Sequence, residues 1–205
     1  MRTLVIDCAT EACSVALFAE TQLIGADHRM LGRGHAEQLV PMIQALPENG
    51  RADRIAVALG PGSFTGVRVG LAAARAMAFA WNADLVGYPS LTLIAAMALD
   101  QHPAASVTVC TTGGHGEWFV QEFDADASTQ SELASLPPLG AASVARSALA
   151  AGSQSEELVT LRGEGTALQI WTDARSFHLL PHAALTTDVA PLYGRAPDAR
   201  LPNLA

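Results

Sequence analysis

The 205-residue chain contains no lysine; all twelve of its basic residues are arginines. That excludes every chemistry resting on a side-chain ammonium: a P-loop lysine on phosphates, a Schiff base, a Ser–Lys dyad. Positive charge is scarce altogether. At a formal net charge of −8, strong autonomous nucleic-acid binding is disfavoured, because counterion release needs clustered cations. Cysteine is limited to three scattered residues, so no disulfide framework is available. No apolar run reaches the roughly 20 residues of a membrane span. The nearest, residues 67–81, is short and carries Arg68 and Arg75. The opening MRTLVIDCAT holds an Asp at position 7, and nothing after it reads as the core of an export signal. The expectation is a cytoplasmic protein without membrane contact.

What is present is a chain able to fold around a core. Half the residues are hydrophobic and 16% are charged, with mean hydropathy +0.24; disorder needs the opposite balance. The pattern alternates between periods of two and 3.6. Strands are predicted at 4–8, 14–18 and 22–29, then a helix at 35–46 interrupted by Pro41, which should kink it or cost about 3 kcal/mol. A strand at 54–59 runs through the loop GPGSFTG into a helix at 67–81. A short strand at 85–87 and a helix at 91–99 follow. A second unit opens near Ser106, with a hairpin of 107–111 and 117–123 joined by TGGHG. Residues 124–140 read as loop, 143–151 as helix and 158–162 as strand. Beyond these, only short extended or helical pieces are expected around 165–171 and 183–189. LVIDCATEACSVALF and VTVCTTGGHGEWFVQ share the layout strand, polar turn, strand at a separation of half the chain. This suggests a duplicated α/β unit. With the two hairpins aligned, Cys110 falls where Asp7 stands, so one of them lacks its carboxylate.

The sharpest local feature is GPGSFTG, with Gly60, Gly62, Ser63, Thr65 and Gly66, and Arg68 one turn on. Backbone N–H groups at a helix start suit an anion; a tight turn that lets helix and strand approach is the competing explanation. The third glycine of a dinucleotide fingerprint is displaced, and a Walker loop fails for want of lysine. Asp7 and Thr10 could hold a metal–phosphate, or merely cap a turn. His178 and His182 form H-x-x-x-H, but the string HLLPH contains Pro181, against a helical metal site. Cys8 and Cys13, with no second pair, read as small core residues. Ser63 lacks a nucleophile elbow. Residues 67–81 are apolar nearly all round. Such a helix is either wholly internal or covered by its own sheet on one side and a partner on the other.

MRTLVIDCATEACSVALF, GHAEQLVPMIQ and GPGSFTGVRVG, in this order and at these separations, resemble the bacterial TsaB (YeaZ) family of tRNA threonylcarbamoyladenosine biosynthesis proteins. The likeness covers roughly residues 1–100. PLYGR resembles the family's closing P-x-Y-x-R, and TTGGH at 111–115 replaces the family's Asp-Ala-Arg step. The resemblance implies an actin-like (ASKHA) α/β fold of two related lobes with mixed sheets, here 1–103 and a shortened 104–205. It implies a subunit that is not itself catalytic, with Asp7 and Thr10 a vestigial nucleotide site and no metal or cofactor of its own. ATP and metal are expected on the partners, a catalytic TsaD-like ASKHA paralogue and a small TsaE-like ATPase. Together these transfer threonylcarbamoyl to N6 of adenosine 37 in tRNAs reading ANN codons, with tRNA reached only through the complex. A homodimer of the free chain stays open. Pairing through the first two helices implies an interface of His35, Leu39, Met42, Ile43, Leu46, Val69, Gly70, Ala73, Ala74 and Met77. An M22-like metallopeptidase and an ASKHA phosphotransferase remain as alternatives; the first needs a metal constellation, the second acids in both lobes.

Overall fold

In the computed structural model, which describes residues 1–194, the chain opens with an antiparallel meander. Its strands are β1 (Arg2–Asp7), β2 (Ala12–Ala19) and β3 (Gln22–Met30). β1 and β2 are buried along nearly their whole length, whereas β3, half-buried and polar, forms the sheet edge. Helix α1 (His35–Gln44) leads to β4 (Arg54–Ala58), which joins β1 in parallel. Helix α2 (Phe64–Trp81) leads to β5 (Asp84–Tyr88), parallel to β4. The strand order is β3-β2-β1-β4-β5.

The second half repeats this plan. β6 (Ser106–Thr112), β7 (Trp118–Asp124) and β8 (Ala134–Leu136) form the meander, followed by α4 (Pro138–Val144), β9 (Leu149–Ala151), α5 (Ser155–Arg162) and β10 (Thr166–Leu168). Its order, β8-β7-β6-β9-β10, has the same parallel and antiparallel pairings. The duplication suggested by the two hairpins is therefore a duplication of the whole strand–helix order, and the fold is that of two mixed sheets flanked by helices.

The element closing each half packs in the middle. Helix α3 (Ser90–Gln101) is buried along most of its length, with Leu93 and Met97 in the first core and Leu91, Ile94 and Ala98 in the second. It, and not α2, is the chain's internal helix. The 3-10 segment Ala174–Leu179 follows β10 yet packs on the first core through Ala174 and Phe177. A division at residue 103 follows chain order, while in space residues 171–185 lie against the first lobe. Residues 195–205, including Arg195 of the closing motif, lie outside the described residues.

Several expectations change. Residues 143–151 are not a helix: α4 ends at Val144 and 149–151 become β9, drawn into the sheet by pairing with Val107 and Val109. Residues 158–162 are not a strand but the end of α5. Its signals are local: Glu156 and Glu157 in the first turn, Arg162 in the last, and Gly163 in the left-handed conformation beyond it. The stretch 124–140 contains β8 and the start of α4. Pro41 lies inside α1, as expected. Its ring and Glu37, whose carbonyl loses its partner, are both exposed, so water can satisfy that oxygen.

Candidate functional site

Asp7 ends β1 and is fully enclosed. Its Oδ1 accepts hydrogen bonds from the Ala9 N–H at 3.0 Å and the Thr172 hydroxyl at 2.8 Å, and its Oδ2 from the Tyr88 hydroxyl at 3.1 Å. The Thr10 and Thr172 hydroxyls lie 3.0 Å apart and extend the network. Burial pushes the Asp7 carboxyl up to about 6, against the pull of its three donors. The same burial, with Asp7 beside it, holds the Tyr88 phenol well above its ordinary value. Tyr88 and Thr172 carry no local signal in the sequence; they reach Asp7 from 81 and 165 residues away.

β6 of the second lobe offers no counterpart, though not for the reason the hairpin alignment gives. At the end of β1, Ile6 and the following Cys8 face Gly70 of α2, and Asp7 points to the opposite side, toward Thr172. In β6, Cys110 packs with Leu158 of α5, while Val107 and Val109 pack with α3. Cys110 thus occupies the helix-facing side, and burial raises its thiol to about 12. The β6 residues on the Asp7-like side are Val109 and Thr111, neither of them an acid.

Between the lobes opens a cleft of about 740 Å³. The first lobe contributes residues 9–11 and the start of α2, the second the 111–115 turn and Phe119, and the C-terminal segment Leu192, Tyr193 and Gly194. Asp7, enclosed, is not among the residues that line it; Thr10 is. The glycine-rich loop is accounted for by close packing. A Cβ at Gly62 would stand 2.0 Å from the Ala9 carbonyl oxygen, and one at Gly66 2.0 Å from that of Cys8. Gly60 has φ 92° and approaches the Leu192 carbonyl. The Ser63 hydroxyl caps α2 by accepting from Gly66 N at 3.2 Å, and Thr65 is exposed. Arg68 lies 3.4 Å over the Phe64 ring and donates to the Tyr193 hydroxyl at 2.8 Å. The PLYGR tyrosine is thereby fixed to the start of α2.

The residues named for a partner interface divide sharply. His35, Leu39, Met42, Ile43, Leu46, Gly70 and Ala74 are buried in the chain's own core, because the apolar stripe of each helix covers the first sheet. They leave no surface for a partner. Val69, Ala73 and Met77 are half-buried. The exposed apolar residues of these helices include Val40, Ala72, Ala76 and Phe79, with Phe79 at 91% exposure. Sequence period alone marks the stripe that is covered, which is the sheet side. His178 Nδ1 lies 3.1 Å from the Arg175 carbonyl oxygen, and among the described residues no group of three potential metal ligands converges. Nor, among them, is any helix long and apolar enough to cross a membrane.

Residues 27–163 match the family model described as TsaD: tRNA N6-adenosine threonylcarbamoyltransferase. The tRNA threonylcarbamoyladenosine biosynthesis protein TsaB of Escherichia coli (strain K12) is 34% identical over 131 residues, 62% of this chain and 56% of that protein. The TsaB of Haemophilus influenzae is 36% identical over 109 residues, 51% and 46% of the two chains. The chain spans about half the length of the curated relatives it matches. Among solved structures, YeaZ from Pseudomonas aeruginosa superposes with a TM-score of 0.80 at 25% identity, covering 94% of this chain and 99% of that one. The ethanolamine utilization protein EutJ from Carboxydothermus hydrogenoformans, at TM-score 0.52 and 11% identity over 88% and 90% of the chains, shares the fold alone.

Proposed function

The chain belongs to the tRNA N6-adenosine threonylcarbamoyltransferase (TsaD) family, as a TsaB-like (YeaZ-like) member, and from that premise we propose that it is a non-catalytic subunit in the synthesis of threonylcarbamoyladenosine in tRNA. The observation that carries this reading is the enclosure of Asp7. A carboxylate that anchors a metal–nucleotide must be reachable, and Asp7, which accepts from Ala9 N, Thr172 and Tyr88, has no exposed surface and does not line the cleft. β6 of the second lobe, with Val109 and Thr111 on the corresponding side, supplies no acid to replace it. Transfer chemistry, ATP and metal then belong to a TsaD-like paralogue and a TsaE-like ATPase, and tRNA is met through them.

The proposed contact with the paralogue uses the outer side of α1 and α2: Val40 on α1, and Val69, Ala73, Ala76 and Met77 on α2. The inner stripes already cover the sheet; Val69, Ala73 and Met77 pack partly on that core as well, and their exposed remainder, with Val40 and Ala76, is the apolar surface left over. Two helices from each subunit would bury on the order of 1,500 Å². The test is depletion of the protein in its native host, followed by nucleoside analysis of bulk tRNA. Loss of threonylcarbamoyladenosine, restored by the wild-type chain and by Asp7→Asn, is expected. Unchanged modification, or restoration that requires an ionisable Asp7, would overturn the proposal.

A further inference from the structure

Apart from the Asp7 network, the β1–β2 hairpin buries a second pair of groups that the function above does not use. Cys8 and Cys13 stand opposite each other one step beyond the Asp7–Ser14 pair, both buried, with their sulfurs 3.6 Å apart. Cys13 is in turn registered against Arg29 of β3, the edge strand, so Cys8, just past the end of β1, Cys13 and Arg29 follow one another toward the sheet edge. The exposed Arg29 guanidinium is held by Asp27 Oδ2 at 2.6 Å and Gln38 Oε1 of α1 at 2.7 Å. The hydrogen bond between the sulfurs pushes the Cys8 thiol up and the Cys13 thiol down, and the Arg29 charge adds to the second effect. Of the two enclosed sulfurs, Cys13 therefore gives up its proton more readily, and it is the one registered against the edge strand β3.

We propose that Cys8 and Cys13 form a peroxide-responsive dithiol that closes to an intramolecular disulfide. The Cys13 sulfur, giving up its proton, attacks the terminal oxygen of a hydroperoxide, forming an S–O bond as the O–O bond breaks; the other oxygen leaves, takes up a proton and departs as an alcohol, or as water from hydrogen peroxide. The Cys8 sulfur then attacks the Cys13 sulfenic acid, losing its proton, and the S–OH oxygen leaves as water. In sum, two thiols and one hydroperoxide give one disulfide, one alcohol and one water. The sulfurs must close from 3.6 Å to about 2.05 Å.

The position gives this closure a route to the rest of the molecule. The Cys8 carbonyl oxygen occupies the place a Cβ on Gly66 would need, and the Cys8 Cβ abuts Gly70. From α1, His35 Nε2 reaches the carbonyl oxygens of Thr10 at 3.1 Å and Ala12 at 3.3 Å. Residues 9–11, held between the two cysteines, line the interlobe cleft. Drawing the strand ends together therefore bears on α1, α2 and the cleft wall at once. Cys110, buried under α5 and apart from this pair, is an internal control.

The experiment exposes the folded protein to equimolar hydrogen peroxide, quenches, unfolds, and combines thiol titration with intact mass and peptide mapping. Wild type should fall from three thiols to one with the loss of two hydrogens, yield a Cys8–Cys13 cross-linked peptide, and recover all thiols with dithiothreitol. Cys110→Ser should close the same disulfide. Cys8→Ser should instead leave a Cys13 sulfenic acid that dimedone traps; Cys8→Ala serves should the serine variant not fold. Three thiols retained in wild type, disulfides only between molecules, or oxidation centred on Cys110 would each overturn the proposal.

Discussion

The Tyr88 hydroxyl, at the end of β5, donates to Asp7 Oδ2, at the end of β1, across the 3.1 Å that separate them. Thr172, from the segment that returns after the second lobe, closes the other side of the carboxylate. One side chain thus joins the first strand, the last strand of its own sheet and the C-terminal segment. Its charge is held inside the protein with hydrogen bonds but at a cost in solvation.

The first prediction follows from that cost. The folded Asp7 pKa of about 6 lies above the unfolded value of about 3.9, so the folded state binds the proton more tightly. Asp7 therefore favours folding most below pH 4, and this contribution is lost as pH rises through 6, by on the order of 2–3 kcal/mol. The stability difference between Asp7→Asn and wild type should grow in favour of the variant from pH 5 to pH 7.5 in urea titrations. A pH-independent difference would show that Asp7 keeps an ordinary pKa in the folded protein.

Catalytic silence is the second prediction. The purified chain should turn over no ATP above background, with or without magnesium, because Asp7 is enclosed and the Asp7-like side of β6 has no acid. Sustained turnover that Asp7→Ala abolishes would restore the phosphotransferase alternative.

Gly66 provides the third. A side chain there meets the Cys8 carbonyl oxygen, and backbone cannot swing aside as a flexible side chain can. Gly66→Val should lower the melting temperature of the whole protein, with a loss of roughly 3 kcal/mol or more. A variant with a normal melt that had lost a binding activity would make the loop a ligand site instead.

The fourth concerns the outer helix side. Ala73 is half-buried and Val40 exposed, so Val40→Glu should leave the melt of the isolated chain within about 0.5 kcal/mol of wild type. If this side meets the paralogue, Val40→Glu and Ala73→Glu should each weaken co-purification with it by several kcal/mol, as unpaired charges forced out of water. An intact complex with both variants would move the interface elsewhere.

By itself the sequence determined the elements whose cause is local. The first three strands, α1, α2 and α3 are legible from period, and the tight β4–α2 junction from GPGSFTG, because burial on one side repeats at fixed intervals along the chain. The absence of lysine is enough on its own to exclude the chemistries that need an ammonium. The caps of α5 are also present, in Glu156, Glu157 and Gly163, though the short apolar run LVTLR reads equally well as a strand. Only the tertiary structure decided the rest. The three residues 149–151 became β9 because Val107 and Val109 were there to pair with them. The apolar stripe of α1 and α2 turned to the chain's own sheet, since period says that one side is covered and never by what. Cys110 and Asp7 point to opposite sides because one residue of register reverses every side chain in a strand. Tyr88 and Thr172 found Asp7 across 81 and 165 residues, distances over which no local pattern reaches and only packing brings groups together.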